Sequence, residues 1–170
     1  MVKISSLASY LVVLMGVFLL AMTLYYAMPS RNPPEFSLNK TGSFRSFTVV
    51  EGDVCTKDGK PIVRMYSTEL CPHCRWIGPT FDKVASEYAA SGRIVAYHWS
   101  FDAHDDVLTT VREDSIPGSE ESLYYTFNPS QTVPTFVFGC KYYRVGNAHE
   151  RDGGLAAEEA DFRAVIEELL

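Results

Sequence analysis

The rhythm of apolar and polar positions changes twice along this chain. From Leu7 to Met28 it reads LASYLVVLMGVFLLAMTLYYAM, a run without a single charge. A helix needs about 20 such residues to cross a bilayer core. A signal peptide has a shorter apolar stretch, about 7–15 residues, ending in small residues. Here Tyr25, Tyr26 and Met28 close the run, so residues 7–28 read as an uncleaved transmembrane anchor behind a short flank, residues 1–6. Residues 29–42 (PSRNPPEFSLNKTG) are rich in Pro, Ser and Asn and have no period, which reads as a linker. Residues 43–170 then alternate between short apolar runs and helical periods, enough chain for one modest core.

Within that domain the pattern predicts a strand over Phe44–Val50 and a short buried strand over Pro61–Tyr66. A helix over Arg75–Ala90 follows, with Trp76, Ile77, Phe81, Val84, Ala85 and Tyr88 at helical spacing. Ile94–Phe101 (IVAYHWSF) reads as a second central strand. The polar stretch 102–131 holds a short helix over Ser119–Phe127. Thr135–Phe138 and Tyr142–Gly146 form a hairpin, and an amphipathic helix carrying Phe162, Val165, Ile166 and Leu169 ends the chain. Strand, helix, strand, hairpin and helix make an α/β domain, a central sheet covered on both faces. Arg64 falls in mid-strand and requires a carboxylate partner that the pattern does not identify.

Charge and cysteines narrow the chemistry. The net charge is −6 and there is no basic stripe, which argues against nucleic acid as a partner. Of four cysteines, two form Cys71-Pro72-His73-Cys74 at the junction between the Pro61–Tyr66 strand and the following helix. The first N–H groups of a helix are unpaired and its dipole is positive there, so a Cys71 thiolate is stabilised as a nucleophile. Pro72 suits the first helical turn, where no N–H is needed. Cys74, one turn on, is placed to resolve a mixed disulfide, and His73 adds a donor or positive charge near the thiolate. Stabilising the thiolate stabilises the reduced form, which makes an oxidant. The competing reading is half of a metal site, with Cys55 and Cys140 as further ligands. Zinc sites commonly supply the second half as another close pair, and these two are far apart in sequence, so no metal and no cofactor is expected.

From about residue 44 onward the chain resembles the thioredoxin superfamily. The resemblance rests on the CxxC at a strand-to-helix junction, on Pro79 eight residues after Cys71, and on Thr132-Val133-Pro134-Thr135 opening the hairpin strand. It implies a thioredoxin fold, a central mixed sheet with helices on both faces, in which Pro134 is cis and faces the CxxC while Val133 offers backbone groups to a substrate strand. The Cys-Pro-His-Cys filling is similar to that of DsbA-type oxidases, but residues 102–131 are too few for the helical domain those proteins insert. The chain therefore looks like a small membrane-anchored thioredoxin-like protein. Thioredoxins keep a buried carboxylate where Met65 stands, and His98 aligns with their lysine on the neighbouring strand. His98 is thus a candidate proton relay, against the alternative of a packed core histidine. In the thioredoxin topology Cys55 and Cys140 fall at the sheet end away from the CxxC, where they are expected to form a structural disulfide. Lys3 before the anchor and Arg31, Lys40 and Arg45 after it lean toward a cytoplasmic domain. A structural disulfide persists outside the reducing cytosol, and this places the domain on the extracytoplasmic side of the cell membrane instead.

The expected function is a single-pass, membrane-tethered thiol–disulfide oxidoreductase acting on protein thiols and disulfides with a membrane or soluble redox partner. Dithiol oxidation is the first expectation for its direction. The alternatives are a reductase or isomerase kept reduced by a membrane electron donor, as in cytochrome assembly, and a metal-delivery protein using Cys71, His73 and Cys74.

Overall fold

A computed structural model describes residues 4–27 and 38–170, which fall into two units, Met1–Phe36 and Ser37–Leu170. In the first, helix α1 spans Ile4–Ala27, and its described side chains (residues 11–20, 22 and 23) are exposed. Among the described residues no helix is long and apolar enough to cross a membrane. The anchor expected over residues 7–28 extends past those side chains, and the linker stretch 29–37 lies outside the described residues.

The second unit is a mixed α/β domain. Its strands are β1 (Lys40–Phe44), β2 (Phe47–Val50), β3 (Thr56–Lys57), β4 (Lys60–Ser67), β5 (Val95–Ser100), β6 (Asp105–Asp106), β7 (Thr135–Phe138) and β8 (Tyr142–Val145). The helices are α2 (Pro72–Ala90), α3 (Gly118–Phe127) and α4 (Leu155–Leu169), with a 3₁₀ turn at Glu150–Asp152. The sheet order is β1-β2-β8-β7-β4-β5-β6, with β3 paired to β4. Only β4 and β5 run parallel, Met65 opposite His98; the other pairs are antiparallel. A parallel pair needs a crossover, and α2 supplies it.

Strand periodicity divides the core. Side chains two apart on β4 and β7 (Val63 and Met65, Phe136 and Phe138) join Ile77, Phe81 and Val84 of α2 and Phe162, Val165 and Ile166 of α4. The intervening Tyr66 and Val137 turn to the other face, against Tyr124 and Phe127 of α3. Here the missing partner of Arg64 appears. Arg64 Nε and Nη2 donate to the two carboxylate oxygens of Glu120, in the first turn of α3, at 2.7 and 3.0 Å, and Tyr66 Oη donates to the same group at 3.0 Å.

Most boundaries fall within a residue of the sequence expectation, and one strand does not. The strand expected over Phe44–Val50 is a hairpin, β1 and β2, turning at Arg45 and Ser46, with Arg45 at a φ of 54°. The polar Arg-Ser pair interrupts the apolar run and reverses the chain, so strand structure begins at Lys40, inside the segment read as linker. The apolar spacing of the second helix begins only at Arg75, but α2 starts at Pro72, as the Cys71-Pro72 placement indicates, because Cys71 caps it.

The most buried ion pair joins β8 to α4. Arg144 Nη2 donates to Glu158 Oε2 at 2.5 Å, Nη1 donates to Ser46 Oγ at 2.6 Å, and the guanidinium lies about 5 Å from the ring centres of Phe47, Phe136 and Phe162. Glu158 is fully buried, and its Oε1 accepts from the N–H groups of Ala148 and His149 at 2.6 and 2.8 Å. At the end of β4 away from α2, Cys55 and Cys140 form a disulfide across 85 residues of sequence. Removing one partner of a buried pair leaves an uncompensated charge, at a cost of about 3–5 kcal/mol. We expect Glu158→Ala to lose stability on that scale in urea unfolding of the full chain. Glu159→Ala, which breaks partly exposed pairs with Lys83 and Arg163, should lose under about 1 kcal/mol. Equal losses would refute this ranking.

Candidate active site

The chain leaves β4 through Thr68, Glu69 and Leu70, and Asp102 holds that turn. Its carboxylate accepts from Glu69 N–H at 2.9 Å, from Leu70 N–H at 3.4 Å and from Ser100 Oγ at 2.9 Å. Burial pushes Asp102 up, but the bonds from Glu69, Ser100 and Leu70 outweigh it and keep the carboxyl below its usual range. The turn delivers Cys71 to the N-cap of α2, where its sulfur accepts from Cys74 N–H at 3.4 Å. Pro72 occupies the first helical position, so its missing N–H costs nothing. Both thiols are free, Cys71 partly exposed and Cys74 buried. Burial, followed by the hydrogen bond with Cys71, pushes the Cys74 thiol up to about 12.

A second segment meets the first. Val133–Pro134 is a cis peptide, and Cys71 Sγ lies 3.7 Å from the Val133 carbonyl oxygen. The preceding Thr132 carbonyl is held from three sides, by Tyr124 Oη at 3.1 Å, Asn128 Nδ2 at 2.6 Å and Thr135 Oγ1 at 2.8 Å. Beside Val133 runs a groove lined by Thr68, Phe101, Tyr124, Tyr125 and Gln131. Leu70, next to Cys71, is 83 % exposed.

His73 points away from the core and is paired. Its Nδ1 lies 2.8 Å from Glu150 Oε2. Asn147 Nδ2 donates to the same oxygen at 2.9 Å and to the His73 carbonyl at 3.0 Å. The bond from Asn147, opposed by burial and helped by His73, holds the Glu150 carboxyl below its usual range.

His98 is buried in β5, with Nδ1 2.6 Å from Asp82 Oδ1 and Nε2 2.8 Å from Ser67 Oγ. The His98 backbone N–H donates to Asp106 Oδ1 at 2.8 Å. Ser67, Cys74, Gly78, Asp82 and His98 all line one cleft. In the neutral tautomer whose Nδ1–H donates to Asp82, Nε2 accepts from Ser67 Oγ. Met65 is fully buried.

Cys71, Pro72, Cys74, Val133 and Pro134 thus converge. His73 stays at the edge of that group and His98 meets it through the cleft, whereas Cys55 and Cys140 lie at the other end of β4. Among the described residues no three His, Cys, Asp or Glu side chains are grouped to hold a metal, so the metal-ligand alternative for Cys71, His73 and Cys74 gains no support. Glu150, Asn147, Asp82, Ser67 and Asp102 were not reached from the sequence. The only hint of Asp82 was its place on α2, two turns beyond Cys74. No family model and no curated protein matches the chain.

The thiolate is the nucleophile, so the two cysteines should differ in reactivity. At pH 7 a thiol titrating at about 12 is ionised only on the order of 10⁻⁵, and Cys74 is also shielded. We expect iodoacetamide to modify Cys71 at least a hundredfold faster than Cys74, mapped by mass spectrometry of the reduced chain. Comparable rates would mean that Cys74 is neither shielded nor held protonated.

Proposed function

We propose that this chain is a thiol–disulfide oxidoreductase of the thioredoxin superfamily, tethered by its N-terminal helix with the α/β domain outside the cytoplasm. The observation that carries the reading is the placement of Cys71. Its free sulfur caps α2 beside the Val133 carbonyl, and a buried second thiol sits one helical turn behind it. A partner's thiolate attacks the Cys71 sulfur of the Cys71–Cys74 disulfide, and Cys74 leaves as the protected thiol. The groove beside Val133 and the exposed Leu70 supply apolar surface of the kind a protein chain covers, which supports protein thiols as substrates. The Cys55–Cys140 disulfide supports an oxidising compartment, and the uncharged run Leu7–Met28 supports the anchor.

Direction follows from the potential of the pair. An oxidase is the first reading, from Cys71 on the helix dipole. The Glu150 carboxylate bonded to His73 favours the second, a reductase or isomerase, because it opposes the positive charge that would stabilise the thiolate. The full chain in detergent, equilibrated in graded glutathione buffers and mapped cysteine by cysteine, decides between them. A Cys71–Cys74 potential well above that of thioredoxin-like reductants, about −270 mV, identifies an oxidase, and one at or below it a reductase. In either case Cys71→Ser should abolish oxidation of a dithiol peptide by glutathione disulfide, and Cys74→Ser should trap a mixed disulfide on Cys71. Full turnover by Cys71→Ser would sink the reading.

In this reading Cys74 gains or loses its proton through the cleft it shares with His98, with Asp82 orienting the ring and Ser67 or a water carrying the proton. General acid–base assistance contributes about 10²–10⁴-fold. We expect His98→Gln, which can still bridge Asp82 and Ser67, to slow the step at Cys74 tenfold or more near pH 7. Added imidazole should restore part of the rate. A packing role alone would lower the melting temperature, leave that step unchanged and give no rescue.

A further inference from the structure

The imidazole between the two cysteines does not stand alone. His73 lies within one turn of Cys71 at the N-terminus of α2. Its imidazole is met by Glu150, from the 3₁₀ turn 77 residues further along, with Nδ1 2.8 Å from Oε2. Asn147 closes the arrangement by donating to both the His73 carbonyl and the Glu150 carboxylate. The loop that holds Asn147 and Glu150 is itself fixed, because Glu158 accepts from the N–H groups of Ala148 and His149. The loop that carries Glu150 is thus fixed from below, while the pair itself stays at the surface, His73 at 61 % and Glu150 at 31 % side-chain exposure.

We propose that Glu150 is the residue that sets the redox potential of the Cys71–Cys74 pair, by placing a fixed negative charge on His73 and so holding the pair more reducing than its Cys-Pro-His-Cys motif alone would make it. The inference rests on the oxidoreductase reading and deepens it. A disulfide carries no charge and does not feel this carboxylate. Any thiolate that reduction leaves at Cys71 is disfavoured by a negative charge held on His73, two residues along the same helix N-terminus. His73 with Glu150 together present less positive charge to that thiolate than His73 by itself. The low range of the Glu150 carboxyl, kept there chiefly by Asn147, means that the negative charge is present throughout the neutral range.

The equilibrium that reads this effect is fully balanced. Two glutathione thiols give two electrons to the Cys71–Cys74 disulfide and become glutathione disulfide. Of their two protons, one goes to Cys74 and the other to Cys71, or to buffer where Cys71 remains a thiolate. The alternative is that the Glu150–His73 contact is an ordinary surface pair that fastens a loop. Such pairs contribute little to stability and leave the potential alone.

Glu150→Gln preserves the shape and can still accept from Asn147, while removing the charge. We expect it to shift the glutathione equilibrium of the full chain threefold to tenfold toward the reduced form. That is a rise of up to about 30 mV for a two-electron couple. Glu150→Lys should shift it further in the same direction. In a His73→Ala background the Glu150→Gln shift should keep its sign and at least its size, because Asn147 still holds the carboxylate through the backbone carbonyl of residue 73 and no imidazole then offsets its charge. Unchanged or lower potentials in both Glu150 variants, whatever their melting temperatures, would overturn the proposal. If the wild-type chain exchanges disulfides and the variants do not shift, only this inference falls. If wild type forms no Cys71–Cys74 disulfide in any glutathione buffer, the oxidoreductase reading falls with it.

Discussion

The buried pair of Arg144 and Glu158 is the contact on which the rest of the domain leans. Taking two charges out of water is expensive, and their attraction offsets that cost only if the remaining donors and acceptors are also satisfied. Here the satisfaction is what builds structure. The guanidinium reaches Ser46 in the β1–β2 turn and the Gly146 carbonyl, and it lies against three phenylalanine rings of the core. The carboxylate takes the N–H groups of Ala148 and His149. One ion pair thereby ties the edge hairpin, β8, α4 and the loop after β8 into a single unit. That loop then projects Asn147 and Glu150 onto His73. The packing of a helix against a sheet thus governs the charge beside a thiol that neither Arg144 nor Glu158 touches.

A second buried charge does similar work on the opposite face. Arg64 alternates with Val63 and Met65 along β4, so its side chain emerges under α3, where Glu120 and Tyr66 meet it. This holds α3 over the sheet, and α3 in turn supplies Tyr124, which with Asn128 just past its end secures the Thr132 carbonyl one residue before Val133. The segment facing Cys71 is therefore positioned from one face of the sheet and the charge on His73 from the other. The two meet at the end of β4, where Asp102 ties down the turn that presents Cys71.

Periodicity made much of this domain legible in advance. The apolar spacing of Ile77, Phe81, Val84 and Tyr88 marks the buried face of α2, and the run around Val63 marks a central strand, because burial on both faces leaves little room for polar residues. The CxxC was legible for a related reason: four adjacent residues carry most of its chemistry. What stayed hidden is whatever depends on partners distant in sequence. The requirement that Arg64 find a carboxylate could be read; that the carboxylate is Glu120, 56 residues away, could not. Glu150 and Asp82 look like any other surface acids until the chain brings them to histidines. The β1–β2 hairpin was missed for a local reason, since an Arg-Ser pair gives little warning that Arg45 will adopt a positive φ.

This division bears on how far a four-residue motif can carry a functional reading. The spacing of Cys71 and Cys74 puts one sulfur at a helix N-terminus and another buried one turn behind it, and it is on this placement that the proposed nucleophile and resolving group rest. The intervening residues are commonly read as setting the direction, on the assumption that a histidine there acts as a bare donor or cation. In this domain the histidine meets a carboxylate that the tertiary structure puts in place. The field at Cys71 is therefore the sum of a helix terminus, an imidazole and a counter-charge, and only the first two lie within the motif. If the proposed role of Glu150 holds, changes in the loop after the last strand would retune the site while leaving every residue between the cysteines unchanged.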